Sequence, residues 1–81
     1  MIEVTVSTKV TRPEYQIFTS RVQLYGFDTL TPRAARAALE IAGYYTGTVA
    51  YTSTDKSGEN TYVKTYRVYA KSARLIEDTV Y

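Results

Sequence analysis

Polar and apolar residues alternate along the first ten positions of the chain. Four of the even positions carry aliphatic side chains, which are Ile2, Val4, Val6 and Val10. Since successive side chains of a strand point to opposite faces of a sheet, this pattern predicts a half-buried strand over residues 2–10. A second alternating run, over residues 15–25, follows the break at Pro13, and we expect the two strands to form a hairpin.

The pattern changes to a helical period between Gly26 and Gly43. Thr31 is a good N-cap, Pro32 fits the first helical position, and Gly43 is a natural stop. One face of the predicted helix carries small and apolar side chains, which are Ala34, Ala35, Ala38, Ile41 and Ala42. A helix with such a face can lie close to a sheet, so the strands must supply most of the apolar bulk.

A long hairpin is predicted over residues 46–71, with its turn at residues 55–60. If Thr54 faces Thr61, one face of this hairpin belongs to the core, with Gly47, Val49, Tyr51, Tyr62, Tyr66, Val68 and Ala70. The other face carries polar side chains and faces solvent. The tail, residues 73–81, fits either an edge strand or a short helical turn capped by Ser72.

The order of these elements, β-β-α-β-β, predicts a single α+β domain that covers all 81 residues. We expect a two-layer sandwich in which one helix covers one face of a four-stranded, mainly antiparallel sheet. The tail would add a short C-terminal strand or a turn. The face of the sheet opposite the helix would then be open to solvent.

The composition argues against most ordinary enzyme chemistry. The chain has no His and no Cys, so a Ser-His-Asp triad, a Cys-His pair and a cysteine zinc site are impossible. Its four glycines are scattered, and no phosphate-binding loop is present. We therefore expect no enzyme activity, no cofactor and no metal. No stretch approaches the roughly 20 apolar residues of a membrane span, and no signal peptide is evident, so we expect a cytoplasmic protein without membrane contact.

The strand positions that are predicted to point away from the helix carry cations, aromatic rings and hydroxyl groups on the open face. Glu3 is the one acid among these positions. The candidate partner-binding residues are its cations and rings, which are Lys9, Tyr15, Arg21, Tyr25, Arg67, Tyr69 and Lys71. Tyr and Arg are enriched in protein interfaces, and rings combined with cations also bind single-stranded nucleic acid.

Two function classes therefore remain open. In the first, the chain is a small binding module for a protein, such as an inhibitor or adaptor, or a homodimer that pairs sheet edges or faces. In the second, the same face binds single-stranded RNA or DNA. Small proteins of this kind are common among phage and mobile-element products, and a ribonucleoprotein or virion subunit would have the same surface.

A plain alternative applies to each residue, because Thr, Tyr, Lys and Arg also suit the solvated face of any antiparallel sheet. The net charge of +2 permits an acidic partner without requiring one.

Overall fold

The structure, a computed structural model, describes residues 1–11, 13–54, 57–69 and 72–80; of Thr11, Tyr15, Thr79 and Val80 it describes the backbone alone. The strands are β1 (Ile2–Thr11), β2 (Tyr15–Leu24), β3 (Gly47–Thr54), β4 (Thr61–Tyr69) and β5 (Ser72–Val80), and the helix is α1 (Pro32–Ala42). All neighbouring strands are antiparallel, and their order across the sheet is β2-β1-β3-β4-β5. The predicted α+β class, with one helix and an antiparallel sheet, is confirmed.

The sheet has five strands rather than four, and the fifth is formed by the tail, for which an edge strand was one of the two predictions. The tail forms a full edge strand, β5, which pairs with β4 and leaves no room for a helical turn at Ser72. The register shifts at Thr65 and Tyr66, which pair with Glu77 and Leu75, so that Ile76 is an extra bulged residue. This bulge interrupts the period of two, and for that reason the tail showed no clear strand pattern in the sequence.

Helix α1 begins and ends where the sequence predicts. The Thr31 hydroxyl accepts a hydrogen bond from the Ala34 backbone N–H at 3.1 Å, which caps the first turn. Gly43 takes a left-handed conformation, with φ of 88°, and its N–H donates to the Glu40 carbonyl oxygen at 3.0 Å. The ends of the helix are therefore determined by local side-chain and backbone chemistry.

The inner face of α1 differs from the prediction at two positions. Ala34, Ala35 and Ala38 are buried as expected, but Leu39 is buried with them and Ile41 is 65% exposed. Leu39 and Ile41 lie on opposite flanks of the alanine stripe. The helix is rotated so that the Leu39 side enters the core and the Ile41 side faces solvent.

The core lies between α1 and one face of the sheet. Its strand residues are aliphatic apart from one tyrosine, and they are Ile2, Val4, Val6, Val22, Leu24, Val49, Tyr66 and Val68. Of the tyrosines predicted to be core, Tyr66 is buried, Tyr51 is half-buried and Tyr62 is 41% exposed. Ala70 lies outside the described residues. The alanine-faced helix thus leaves the strands to supply most of the apolar bulk, as expected.

The β1–β2 hairpin extends beyond the other strands. Its two strands pair over their full length, but β1 pairs with β3 only from Thr5 to Ser7. Past Ser7 the hairpin continues without β3 beside it, and the molecule is correspondingly elongated, with extents of 46 × 24 × 20 Å. A gap therefore opens between the tip of this hairpin and the adjoining ends of β3 and β4.

Gly47, the first residue of β3, lies close to both β1 and α1. A Cβ atom at this position would lie 2.6 Å from the Ser7 carbonyl oxygen and 2.9 Å from Leu39 Cδ2. Beside it, the buried Thr8 hydroxyl donates to the Thr46 carbonyl oxygen at 2.8 Å. These contacts join the start of β3 to both β1 and α1, and they require the smallest residue at position 47.

We predict that Gly47→Ala destabilises the protein by about 1–3 kcal/mol, because the added methyl group must displace backbone or Leu39. Thr46→Ala is the control, since the Thr46 side chain is exposed and only its backbone accepts the Thr8 hydrogen bond. Its effect should stay within about 0.5 kcal/mol. Urea denaturation measures both values, and equal stability of Gly47→Ala and the unmodified protein would contradict the close contact.

Candidate functional site

The face of the sheet opposite α1 carries ordered rows of side chains that cross the strands. One row runs through all five strands from β5 to β2, and it consists of Arg74, Arg67, Thr48, Ser7 and Thr19. With strands spaced about 4.8 Å apart, the row is roughly 19 Å long. It presents two guanidinium groups at one end and three hydroxyl groups along the rest. We call this surface the open face and this row the arginine row.

Arg67 and Arg74 are directly opposite each other on neighbouring strands, and both are exposed. Like charges in this position repel, so the pair is unfavourable for folding. Of the described acids of the open face, Glu77 lies in the adjacent row and Glu3 lies two rows away. The arginine row itself holds two cations and no acid, so it concentrates positive charge at one place and is suited to bind a carboxylate or another anion.

A groove of about 300 Å³ lies beside the arginine row, where β1 and β3 diverge. Lys9 and Ile17 from the hairpin line one part of it, while Arg67 and Tyr69 of β4 line another. Ile17 is 59% exposed and Tyr69 is 46% exposed, so both offer apolar surface to a partner. The groove thus combines two cationic side chains with an aliphatic side chain and an aromatic ring.

The structure brings together three of the residues that the sequence singled out, since Lys9, Arg67 and Tyr69 all line the groove. Arg21 lies on the same face, but it is opposite Thr5, two rows from Lys9. Tyr25 lies beyond the end of β2 and donates a hydrogen bond to Gln23 Oε1 at 3.2 Å. The predicted residues therefore do not form one cluster.

Two predicted site residues have side chains outside the described part of the structure. Tyr15 begins β2, but its side chain is not among those described, and Lys71 lies outside the described residues. The groove is defined without them.

Two residues of this surface escaped the sequence prediction. Ile17 occupies a position of β2 that points to the open face. An apolar side chain on this otherwise polar face was the signal that could have identified it. Arg74 became a candidate only when the tail was placed as β5, because its position beside Arg67 depends on the β4–β5 register. The first signal was present in the sequence, whereas the second was not.

A second groove, of about 270 Å³, lies on the helix side of the sheet. It is lined partly by Tyr51 and Tyr62 from neighbouring strands, and by the charged residues Asp28, Lys64 and Asp78. Here the sheet extends beyond the cover of α1, which explains why Tyr62 is more exposed than a core residue. Its charges are of both signs, in contrast to the arginine row.

Comparisons of the chain with protein-family models, with curated proteins and with solved structures give no match. Among the described residues, no group of three or more acidic side chains could hold a metal ion. Across the same part of the chain, no helix has both the length and the apolar character needed to cross a membrane.

We predict that Arg74→Glu stabilises the protein at low ionic strength by about 0.2–1 kcal/mol, because it replaces a like-charge pair with an opposite-charge pair. The gain should shrink in concentrated salt, which screens charges on exposed side chains. Arg21→Glu on β2, which is opposite Thr5 and no cation, is the control for the same change in net charge. Thermal denaturation at two salt concentrations measures the effect, and a loss of stability for Arg74→Glu at low salt would refute the repulsion.

Proposed function

We propose that this protein is a non-catalytic binding module whose open face binds an acidic, partly apolar surface of a partner protein. The observation that carries this proposal is the position of the Arg67–Arg74 pair beside a groove that contains Ile17 and Tyr69. A charge pair that opposes folding is more readily explained if an anion of a partner lies against it.

The charge balance of the open face favours an acidic partner. Its described cations are Lys9, Arg21, Arg67 and Arg74. Its described acids are Glu3 and Glu77, so positive charge is in excess on this face. Complementary charge speeds the encounter between proteins and selects among partners. A guanidinium group can also grip a carboxylate through two parallel hydrogen bonds.

The shape of the face supports a protein partner as well. Small side chains form its centre, and they are Thr5, Ser7, Thr48, Ala50 and Thr65. All of them are buried or half-buried, so the centre of the face is a shallow depression. Ile17, Arg67 and Tyr69 are exposed near one end of it. Tyr and Arg are the residue types that carry most binding energy in protein interfaces. A partner side chain entering the groove would meet both apolar contacts and charge.

Single-stranded nucleic acid is the competing candidate, and the spacing of the rings argues against it. Tyr69 lies near the row of Lys9, whereas Tyr25 follows Leu24, which pairs with Ile2 at the opposite end of β1. At about 3.4 Å per residue, these rings are on the order of 25 Å apart along the strands. Successive bases cannot stack on these two described rings, which are so widely separated.

The test uses labelled acidic peptides that carry one Leu, Phe or Tyr between Asp and Glu residues, together with oligothymidine and an unstructured RNA. We predict that Arg67→Glu weakens peptide binding about tenfold or more, as expected for loss of an interface arginine. Arg33→Glu, which makes the same charge change on α1, should leave peptide binding unchanged. Fluorescence anisotropy measures these affinities.

Two results would contradict the proposal. In one, Arg33→Glu weakens peptide binding as much as Arg67→Glu, which would show that only net charge matters. In the other, the oligonucleotides bind more tightly than every peptide, with a steep dependence on salt that indicates phosphate contacts. The second result would support the nucleic-acid alternative instead.

A further inference from the structure

The two edge strands of the sheet differ in their protection against pairing with another chain. Strand β5 has a bulge at Ile76 and carries the charged side chains of Arg74, Glu77 and Asp78. Bulges and charges are the usual devices that prevent an edge strand from pairing with a further strand. Strand β5 is therefore a guarded edge.

Strand β2 has no bulge and fewer charged side chains. It pairs with β1 over ten residues without a register shift, and Arg21 is its one charged residue. Every described side chain of residues 16–21 is exposed, including Ile17 and Phe18, which are 59% and 43% exposed. A long, regular and partly apolar edge of this kind is a template for an added strand.

We propose that this edge binds a second copy of the chain, β2 against β2, to form a ten-stranded antiparallel sheet. Two identical strands can pair in this way around a two-fold axis, which makes the contact closed and self-complementary. In an antiparallel pair, residues directly opposite each other point to the same face of the sheet. The two-fold axis is therefore perpendicular to the sheet. Both α1 helices then lie on one side, and both open faces lie on the other.

The charges and apolar residues of β2 favour an axis at Thr19, near the middle of the exposed segment. This register places Ile17 opposite Arg21 of the second copy, and the symmetry repeats the contact. The aliphatic part of the Arg21 side chain can then cover Ile17 while its charged end stays in water. An axis at Arg21 would instead place like charges directly opposite. The low net charge of +2 opposes association only weakly.

This dimer goes beyond the proposed function and does not depend on it. Arg67 and Arg74 lie on β4 and β5, toward the edge of the sheet that is opposite to β2. Pairing through β2 leaves Arg67 and Arg74 away from the dimer contact and joins the two arginine rows end to end at Thr19. A partner with two acidic sites could then bind both copies at once, with a gain in overall affinity.

The first test is the molar mass in solution, measured by light scattering after size-exclusion chromatography. The unmodified chain should have twice its monomer mass of 9.2 kDa. Thr19→Lys should reduce the mass to that of the monomer, because it places two like charges at the axis while keeping the fold. Ser72→Lys, an exposed position on β5, should remain dimeric, and so should Arg67→Glu.

Three outcomes would overturn the proposal. The unmodified chain could be a monomer at high micromolar concentration. Thr19→Lys could remain a dimer with an unchanged circular dichroism spectrum. Ser72→Lys or Arg67→Glu could dissociate the dimer, which would place the contact at β5 or on the open face. Arg67→Glu also separates the two proposals. Loss of its dimer would count against the β2 contact, whereas undiminished peptide binding would count against the proposed function.

Disulfide formation provides a second test that does not depend on the lysine variant. The chain has no natural Cys, so Thr19→Cys introduces a single thiol. Mild oxidation should convert this variant to a covalent dimer on a non-reducing gel, since the two thiols meet at the axis. Ser72→Cys should remain monomeric on the same gel. Equal cross-linking of the two variants, or none at Thr19→Cys, would contradict the proposed pairing.

Discussion

The close packing of an alanine-faced helix against one side of the sheet determines the rest of this structure. Ala34, Ala35 and Ala38 are fully buried, and Leu39 reaches the backbone at Gly47. Because alanine side chains are small, the inner face of the helix cannot fill the core alone. The valines and leucines of the strands complete it, and one helix is enough to cover the centre of the sheet on one side.

The length of the helix explains where the surface features lie. An α-helix of 11 residues is about 16 Å long, whereas a strand of ten residues extends about 33 Å. Helix α1 therefore cannot cover the strands from end to end. The projecting β1–β2 hairpin forms one uncovered end and the groove around Tyr51 and Tyr62 forms another. The open face, opposite α1, has no covering layer among the described residues.

Sequence reasoning succeeded where a structure depends on neighbouring residues. The alternation in β1, the cap at Thr31 and the stop at Gly43 are local signals, and each was interpreted correctly. The pairing of Thr54 with Thr61, which was assumed in assigning the faces of the hairpin, is also correct. A turn sets the register of its own hairpin, so this pairing is local too.

It failed where a structure depends on contacts between distant segments. The rotation of α1 that buries Leu39 and exposes Ile41 brings Leu39 close to Gly47 of β3, which is a contact between distant segments. The bulge at Ile76 hides the period of β5, so that Arg74 could not be assigned a neighbour before the sheet was assembled. The candidate site was therefore predicted in its residue types and in its face, but the groove and the Arg67–Arg74 pair were not.

The central claim is that one face of the sheet is covered by α1 and the other is free and positively charged at the arginine row. Nuclear magnetic relaxation with an anionic and a neutral paramagnetic cosolute tests it directly. The account predicts that the anionic probe relaxes the protons of Thr48, Arg67 and Arg74 more strongly than the neutral probe does. It also predicts that neither probe reaches the methyl groups of Ala35 and Val49. Equal effects of both probes on the arginine row, or strong relaxation of the two buried methyl groups, would contradict it.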